Sequence, residues 1–186
     1  MKWLSSLFGR REDRAATPGT RTMSPRNILF SVPTLSDDMP VLDPIDKPPS
    51  RSDVVLHEDD WSQLEFLPRS ATDDVRRLLT ELKTFEQANR KSSGWKKPYV
   101  RKIARRPVIS APAPLKQLEA RLGAPLGGAA FITETNSFLG RVHKGFTFDL
   151  GGNVQLYGYT ANNDVPVLAA SVGPKADNMK LAAAFM

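Results

Sequence analysis

The residues with the clearest capacity for chemistry are His57, Glu58, Asp59 and Asp60, an imidazole followed by three carboxylates. Such a set could bind a hard or borderline divalent metal, or relay a proton through the ring. A metal site needs several ligands brought to one point by the fold, and adjacent residues rarely converge. The only further imidazole is His143. The plain reading is a polar loop whose carboxylates cap the next element, with no metal and no cofactor assigned.

A second arrangement would use His143 as base, Asp149 as its orienting partner and a serine as nucleophile. No Gly-x-Ser-x-Gly elbow accompanies them, so both residues are expected on a strand surface and no catalytic residue is assigned. The pairs Gly127-Gly128 and Gly151-Gly152 match neither a phosphate-binding loop nor a dinucleotide fingerprint, and the second reads as a hairpin turn. The chain has no cysteine. Disulfides, thiolate zinc sites, iron–sulfur clusters and cysteine nucleophiles are therefore excluded.

The strongest chemical feature is cationic. Arg90, Lys91, Lys96, Lys97, Arg101, Lys102, Arg105 and Arg106 lie in one segment, interleaved with Trp95 and Tyr99. Residues 90–107 contain no acidic residue and carry a net +8, whereas residues 53–89 carry a net −5, within a chain of net +6. The segment could meet an acidic protein surface, follow a phosphate backbone with its aromatics stacked on bases, or rest on anionic lipid. It could equally be a solvated strand face neutralised by carboxylates of its own fold, such as Asp59, Asp60 and Glu65.

The reading adopted is a non-enzymatic, accessory or immunity-like protein that binds a protein with an acidic surface. The expected contacts are Trp95, Lys96, Lys97, Tyr99, Arg101 and Lys102, with the aromatics and the arginine as energetic anchors. A nucleic-acid-binding module using the same segment is the alternative. A weaker feature is Trp3, Leu4, Leu7 and Phe8, which would share one face of a short helix ahead of Arg10, Arg11 and Arg14. That patch could make peripheral membrane contact or dock in a protein groove, but two turns bury too little area for stable anchoring.

These residues must be held by a fold. Residues 1–52 read as an arm, disordered or docking on a partner. Seven of the fifteen prolines fall there, and each removes a backbone donor and fixes φ. Two apolar patches interrupt it, the N-terminal one and Ile28–Val32, the latter strand-like and able to dock on the domain or on a partner. The folded domain is expected over 53–186. Val54–Leu56 predicts a first strand and Trp61–Leu67 a second. A long helix follows from about Thr72 to Arg90, with Val75, Leu78, Leu79, Leu82, Phe85 and Ala88 on one face, able to cover a sheet. Thr72 or Ser70 would cap it, Asp73 and Asp74 suit its positive end, and Ser92-Ser93-Gly94 would stop it.

A strand is predicted around 98–103 and a short helix over Leu115–Leu122, ended by Gly123 and Pro125. From Gly127 the pattern becomes short strands divided by turn signals: 129–133, 138–142, 146–150, 154–159 and 165–172. This is an α+β fold, an antiparallel β-meander with one long amphipathic helix and one short helix. No apolar run reaches the ~18–20 residues of a membrane-spanning helix. The first residues, broken by Ser5 and Ser6, do not read as a secretory signal, so a cytoplasmic location is expected.

Overall fold

A computed structural model of the chain describes residues 29–102, 104–135, 137–177, 179 and 182. The patch of Trp3, Leu4, Leu7 and Phe8 lies outside them, as does the rest of the first 28 residues. The elements run β1 (Thr34–Ser36), β2 (Leu42–Asp43), β3 (Val54–His57), β4 (Glu65–Phe66), α1 (Thr72–Asn89), β5 (Arg90–Lys91), β6 (Gly94–Trp95) and β7 (Tyr99–Arg101). They continue with β8 (Ile109–Ser110), α2 (Pro114–Leu122), β9 (Ala130–Glu134), β10 (Ser137–Val142), β11 (Gly145–Gly151), β12 (Val154–Ala161) and β13 (Asp164–Val172). The fold is α+β.

The strands after residue 127 each pair antiparallel as a meander would, but they divide over two sheets. One sheet has the order β2-β10-β9-β3, with β3 parallel to β9. The other has the order β11-β12-β13-β4, with β8 also on β13. Strand alternation explains why both are needed. Val54, Leu56, Ala130, Ile132 and Val142 of the first sheet form one core with Tyr157, Val167 and Ala169 of the second. Phe146, Phe148, Leu156, Val165 and Leu168 form another core on the opposite face of the second sheet, closed by Leu118 of α2. The strands β12 and β13 are thus buried on both faces, which is why they carry few polar side chains.

The short helix covers the sheet, not the long one. The 18 residues of α1 include none that is buried. Its predicted face is real but shallow: Val75, Leu78, Leu82 and Phe85 are half-buried, and Leu79 stays 59% exposed. No side chain caps its N-terminus; Ala71 occupies that position, and the Thr72 hydroxyl donates to the Arg69 carbonyl. At its other end Ser92 and Ser93 form the turn of a β5–β6 hairpin.

The stretch Trp61–Leu67 is not one strand. Ser62 sits at φ 53°, a left-handed conformation that breaks an extended run, so only Glu65–Phe66 pairs with β13. The turn places the Trp61 ring in the first core, 5.4 Å from the Tyr157 ring. It also lets the Ser62 amide donate to the Tyr157 hydroxyl at 2.9 Å.

Residues 29–52, counted in the arm from their prolines, are bonded to the domain. Phe30 exchanges backbone hydrogen bonds with Trp95, β1 runs parallel to β7, and β2 pairs with β10. Proline spacing bars a long element but leaves room for strands of two or three residues. The Trp61 indole fixes this segment further by donating to the Asp38 carbonyl at 3.1 Å.

Two outcomes follow. A methyl group on Gly158 would press on the Val167 carbonyl and the Phe146 ring. Gly158→Ala is therefore expected to cost about 2–3 kcal/mol by overpacking, read as a lower urea midpoint at unchanged slope. Burial pushes the Tyr157 phenol from 10.0 up to about 12. Folding favours its neutral form, so stability is full below pH 10, where the unfolded phenol is still protonated. It is lost between pH 10 and about 12, where the unfolded state binds fewer protons. Tyr157→Phe should remove this part of the alkaline instability, measured as the difference in urea midpoint between pH 9 and pH 11 for the two chains.

Candidate functional site

The basic segment splits into two halves with different roles. Its C-terminal half is engaged by the fold, except for the largely exposed Lys102. The Arg105 guanidinium donates to both the Asp38 and Glu65 carboxylates, and the Glu65 side chain is only 4% exposed. Arg106 pairs with Asp74 at 3.1 Å and donates to the Ser70 carbonyl. Lys102 lies 4.0 Å from Asp37 and remains largely exposed. Arg101 is half-buried, donates to the Ser62 carbonyl at 3.0 Å, and forms no ion pair among the described residues. Burial holds its guanidinium below its ordinary pKa. Of the carboxylates named from sequence as neutralising partners, Glu65 takes that part; Asp59 and Asp60 do not.

The N-terminal half is different. Arg90 and Lys91 form β5, and the two-residue turn Ser92-Ser93 returns the chain to Gly94–Trp95. The hairpin is pinned to the end of α1, where the Arg90 amide donates to the Glu86 carbonyl and the Lys96 amide to the Asn89 carbonyl at 2.8 Å. These bonds satisfy carbonyls that the helix leaves open and set cations beside its negative pole. Arg90, Lys91, Lys96 and Lys97 are exposed, and none has an ion-pair partner among the described residues.

The aromatics between them face the fold. Trp95 is half-buried, bonded through its backbone to Phe30, and its indole nitrogen is buried without a hydrogen-bond partner among the described residues. The Tyr99 ring meets Phe85 edge-on at 5.5 Å, and its hydroxyl donates to Glu81 at 2.7 Å. That hydrogen bond, reinforced by desolvation, raises the Tyr99 phenol above its ordinary pKa. Of the six predicted contact residues, Lys96, Lys97 and Lys102 point to solvent, while Trp95, Tyr99 and Arg101 hold β6 and β7 in place.

A cleft of about 190 Å³ lies between α1 and the β4–β7 region. Val75, Leu78, Leu79 and Leu82 of α1 form one wall, and Leu64 and Leu67 contribute from the β4 side. Tyr99 and Arg101 line it from β7. Leu64 is 44% exposed. The helical period of Val75, Leu78, Leu79 and Leu82 predicts a face that covers a sheet, whereas here that face lines the cleft. The signal available for the cleft was the neighbouring Trp61–Leu67 stretch, whose broken alternation leaves the Leu64 side chain exposed although its carbonyl accepts from Ala170 of β13.

The other chemical candidates do not assemble. His57 caps the turn Glu58–Asp60, its Nδ1 3.3 Å from the Asp59 amide and its Nε2 3.3 Å from the Thr135 amide. A neutral imidazole has one acceptor nitrogen, so only one of these bonds forms at a time. His143 is held by Asp43 at 3.0 Å and not by Asp149, whose carboxylate accepts from the Gly151 amide in the hairpin turn. Among the described residues no three His, Asp or Glu side chains gather as a metal site would require. Gly127 and Gly128 bond to Thr147, and Gly128 also to Ser52, as a connecting loop. Among the described residues no helix is long and apolar enough to cross a membrane. The chain matches no family model, no curated protein and no solved structure.

The split within the basic segment predicts two different stability effects. Arg105→Met removes the partner of a buried carboxylate and should cost about 3 kcal/mol. Lys97→Ala, at an exposed unpaired position, should change stability by less than about 0.5 kcal/mol. Urea unfolding of both variants beside the parent chain measures the contrast.

Proposed function

We propose that this chain is a non-enzymatic binding protein of accessory or immunity-like character, acting in the cytoplasm and engaging a protein with an acidic surface. The observation that carries the reading is the β5–β6 hairpin. It presents four exposed cations on a backbone fixed at the end of α1, with no carboxylate of the described fold paired to them. Charges that remain unmatched on a rigid element steer association with an opposite surface and fix its register.

Protein is favoured over nucleic acid by the state of the aromatics. Single-stranded nucleic acids are held by aromatic faces free to stack on bases. Trp95 and Tyr99 spend theirs on the fold, half-buried against their neighbours. The hairpin therefore offers point charges without a stacking platform. The absence of cysteine from the sequence suits a reducing compartment.

The test is capture from native lysate with the full chain and with its Lys96→Glu/Lys97→Glu double variant, at low and at raised salt. The expected result is a stoichiometric acidic partner whose recovery falls with salt and is lost with the double variant. Recovery that ignores both charge reversal and salt sinks the reading. A gel shift with generic single-stranded RNA or DNA at low salt would replace it with nucleic-acid binding.

A further inference from the structure

We infer that the cleft between α1 and the β4–β7 region is the other half of the partner-binding face, and that it takes an apolar helical segment of the partner with carboxylates at one end. The inference rests on the reading of the hairpin above and adds the chemistry of the occupant. An amphipathic surface helix normally buries its apolar stripe. Here α1 buries no residue, and Leu79 and Leu64 stand open to solvent on facing walls of the cleft.

The volume selects the class of occupant. Sites for small molecules and cofactors run to ~300–1,000 Å³. About 190 Å³ is too little for these, yet suits one or two anchoring side chains of a macromolecule. The apolar wall from Val75 to Leu82 spans about 10 Å at the helical rise, one set of i, i+3, i+4 and i+7 anchors on a partner helix.

Charge selects its polarity. The carboxylates at the cleft are already held: Glu65 by Arg105, and Glu81 by Arg77 and Tyr99. About two helical turns beyond Leu82, where α1 stops, Arg90, Lys91, Lys96 and Lys97 have no such match among the described residues. An occupant lying along α1 therefore meets an apolar trough, lined on the β7 side by the half-buried Arg101, with four exposed cations beyond its Leu82 end, and carboxylates belong on its corresponding end. A second copy of this chain fits less well. Its Asp73 and Asp74 would have to meet the hairpin, and they already hold Arg76, Arg77 and Arg106.

The probe is a fluorescent helical peptide with leucines at i, i+3, i+4 and i+7 followed by a run of glutamates. Two control peptides replace the glutamates with lysines or the leucines with serines. Each is titrated with the full chain and followed by anisotropy. The glutamate peptide should bind about tenfold or more tightly than either control. Leu79→Asp and, independently, Leu64→Asn should each weaken it about tenfold, with far-UV circular dichroism unchanged. Lys96→Glu/Lys97→Glu should weaken it as well.

If both leucine variants bind like the parent while charge reversal abolishes binding, the cleft inference is overturned and the hairpin reading stands. Equal binding of the glutamate and lysine peptides overturns both. Sedimentation showing a concentration-dependent dimer that Leu79→Asp breaks would place a second copy in the cleft, and the inference fails.

Discussion

The Arg105 guanidinium, held between Asp38 and Glu65, is the junction on which the basic face is built. Glu65 belongs to β4, at the edge of the doubly buried sheet, and its side chain is almost wholly shielded from water. Asp38 belongs to the proline-rich segment that crosses the domain on its way to β2. One cation therefore ties three stretches that are far apart in sequence. A charge buried there is tolerable because both of its neighbours are opposite in sign. It also determines which cations remain. Arg105 is drawn inward and Arg106 is paired with Asp74 at the surface, so the exposed unmatched charge of the segment is left on the β5–β6 hairpin and the two lysines that follow it.

The rest of the architecture follows from a sheet with two apolar faces. Alternating residues on β12 and β13 are apolar on both sides, and each side must be covered. The sheet of β2, β3, β9 and β10 covers one and α2 covers the other. Both positions being taken, α1 is left at the periphery, against β7 and the turn that precedes it. A helix with good periodicity and a well-placed acidic first turn thus ends up with no buried residue. Its apolar stripe becomes a surface, bordered by Leu64 and Leu67, and its C-terminus becomes the mount for the cationic hairpin.

The contact residues chosen from sequence show why charge and aromaticity behave differently as signals. Lysines carry their charge on long flexible stems and are rarely drawn into a fold, so Lys96 and Lys97 stay exposed as composition suggests. Aromatic and guanidinium groups offer the fold a large packing area or several directed donors. Tyr99 and Arg101 are accordingly taken up by Phe85 with Glu81 and by the Ser62 carbonyl, and Trp95 is half-buried with its indole nitrogen shielded from solvent. The imidazoles follow the same logic. Each ring finds a nearby backbone amide or carboxylate, and neither is left free for chemistry with the other.

The sequence by itself determined the elements whose causes are local. The helix from Thr72, the helix ending at Gly123, the hairpin turn at Gly151-Gly152-Asn153 and the alternating strands from Ala130 onward all follow from period and turn residues within a few positions. It also determined the α+β class and the concentration of charge in residues 90–106. Tertiary structure alone decided the division of the strands into two sheets and the docking of residues 29–52. It also decided the choice of α2 over α1 as the covering helix, and the fate of each cation. Those outcomes turn on contacts between residues dozens of positions apart, Arg105 with Glu65 or Thr34 with Tyr99. Nothing in a local window records the partner, because burial, pairing and charge neutralisation are settled only when the whole chain closes on itself.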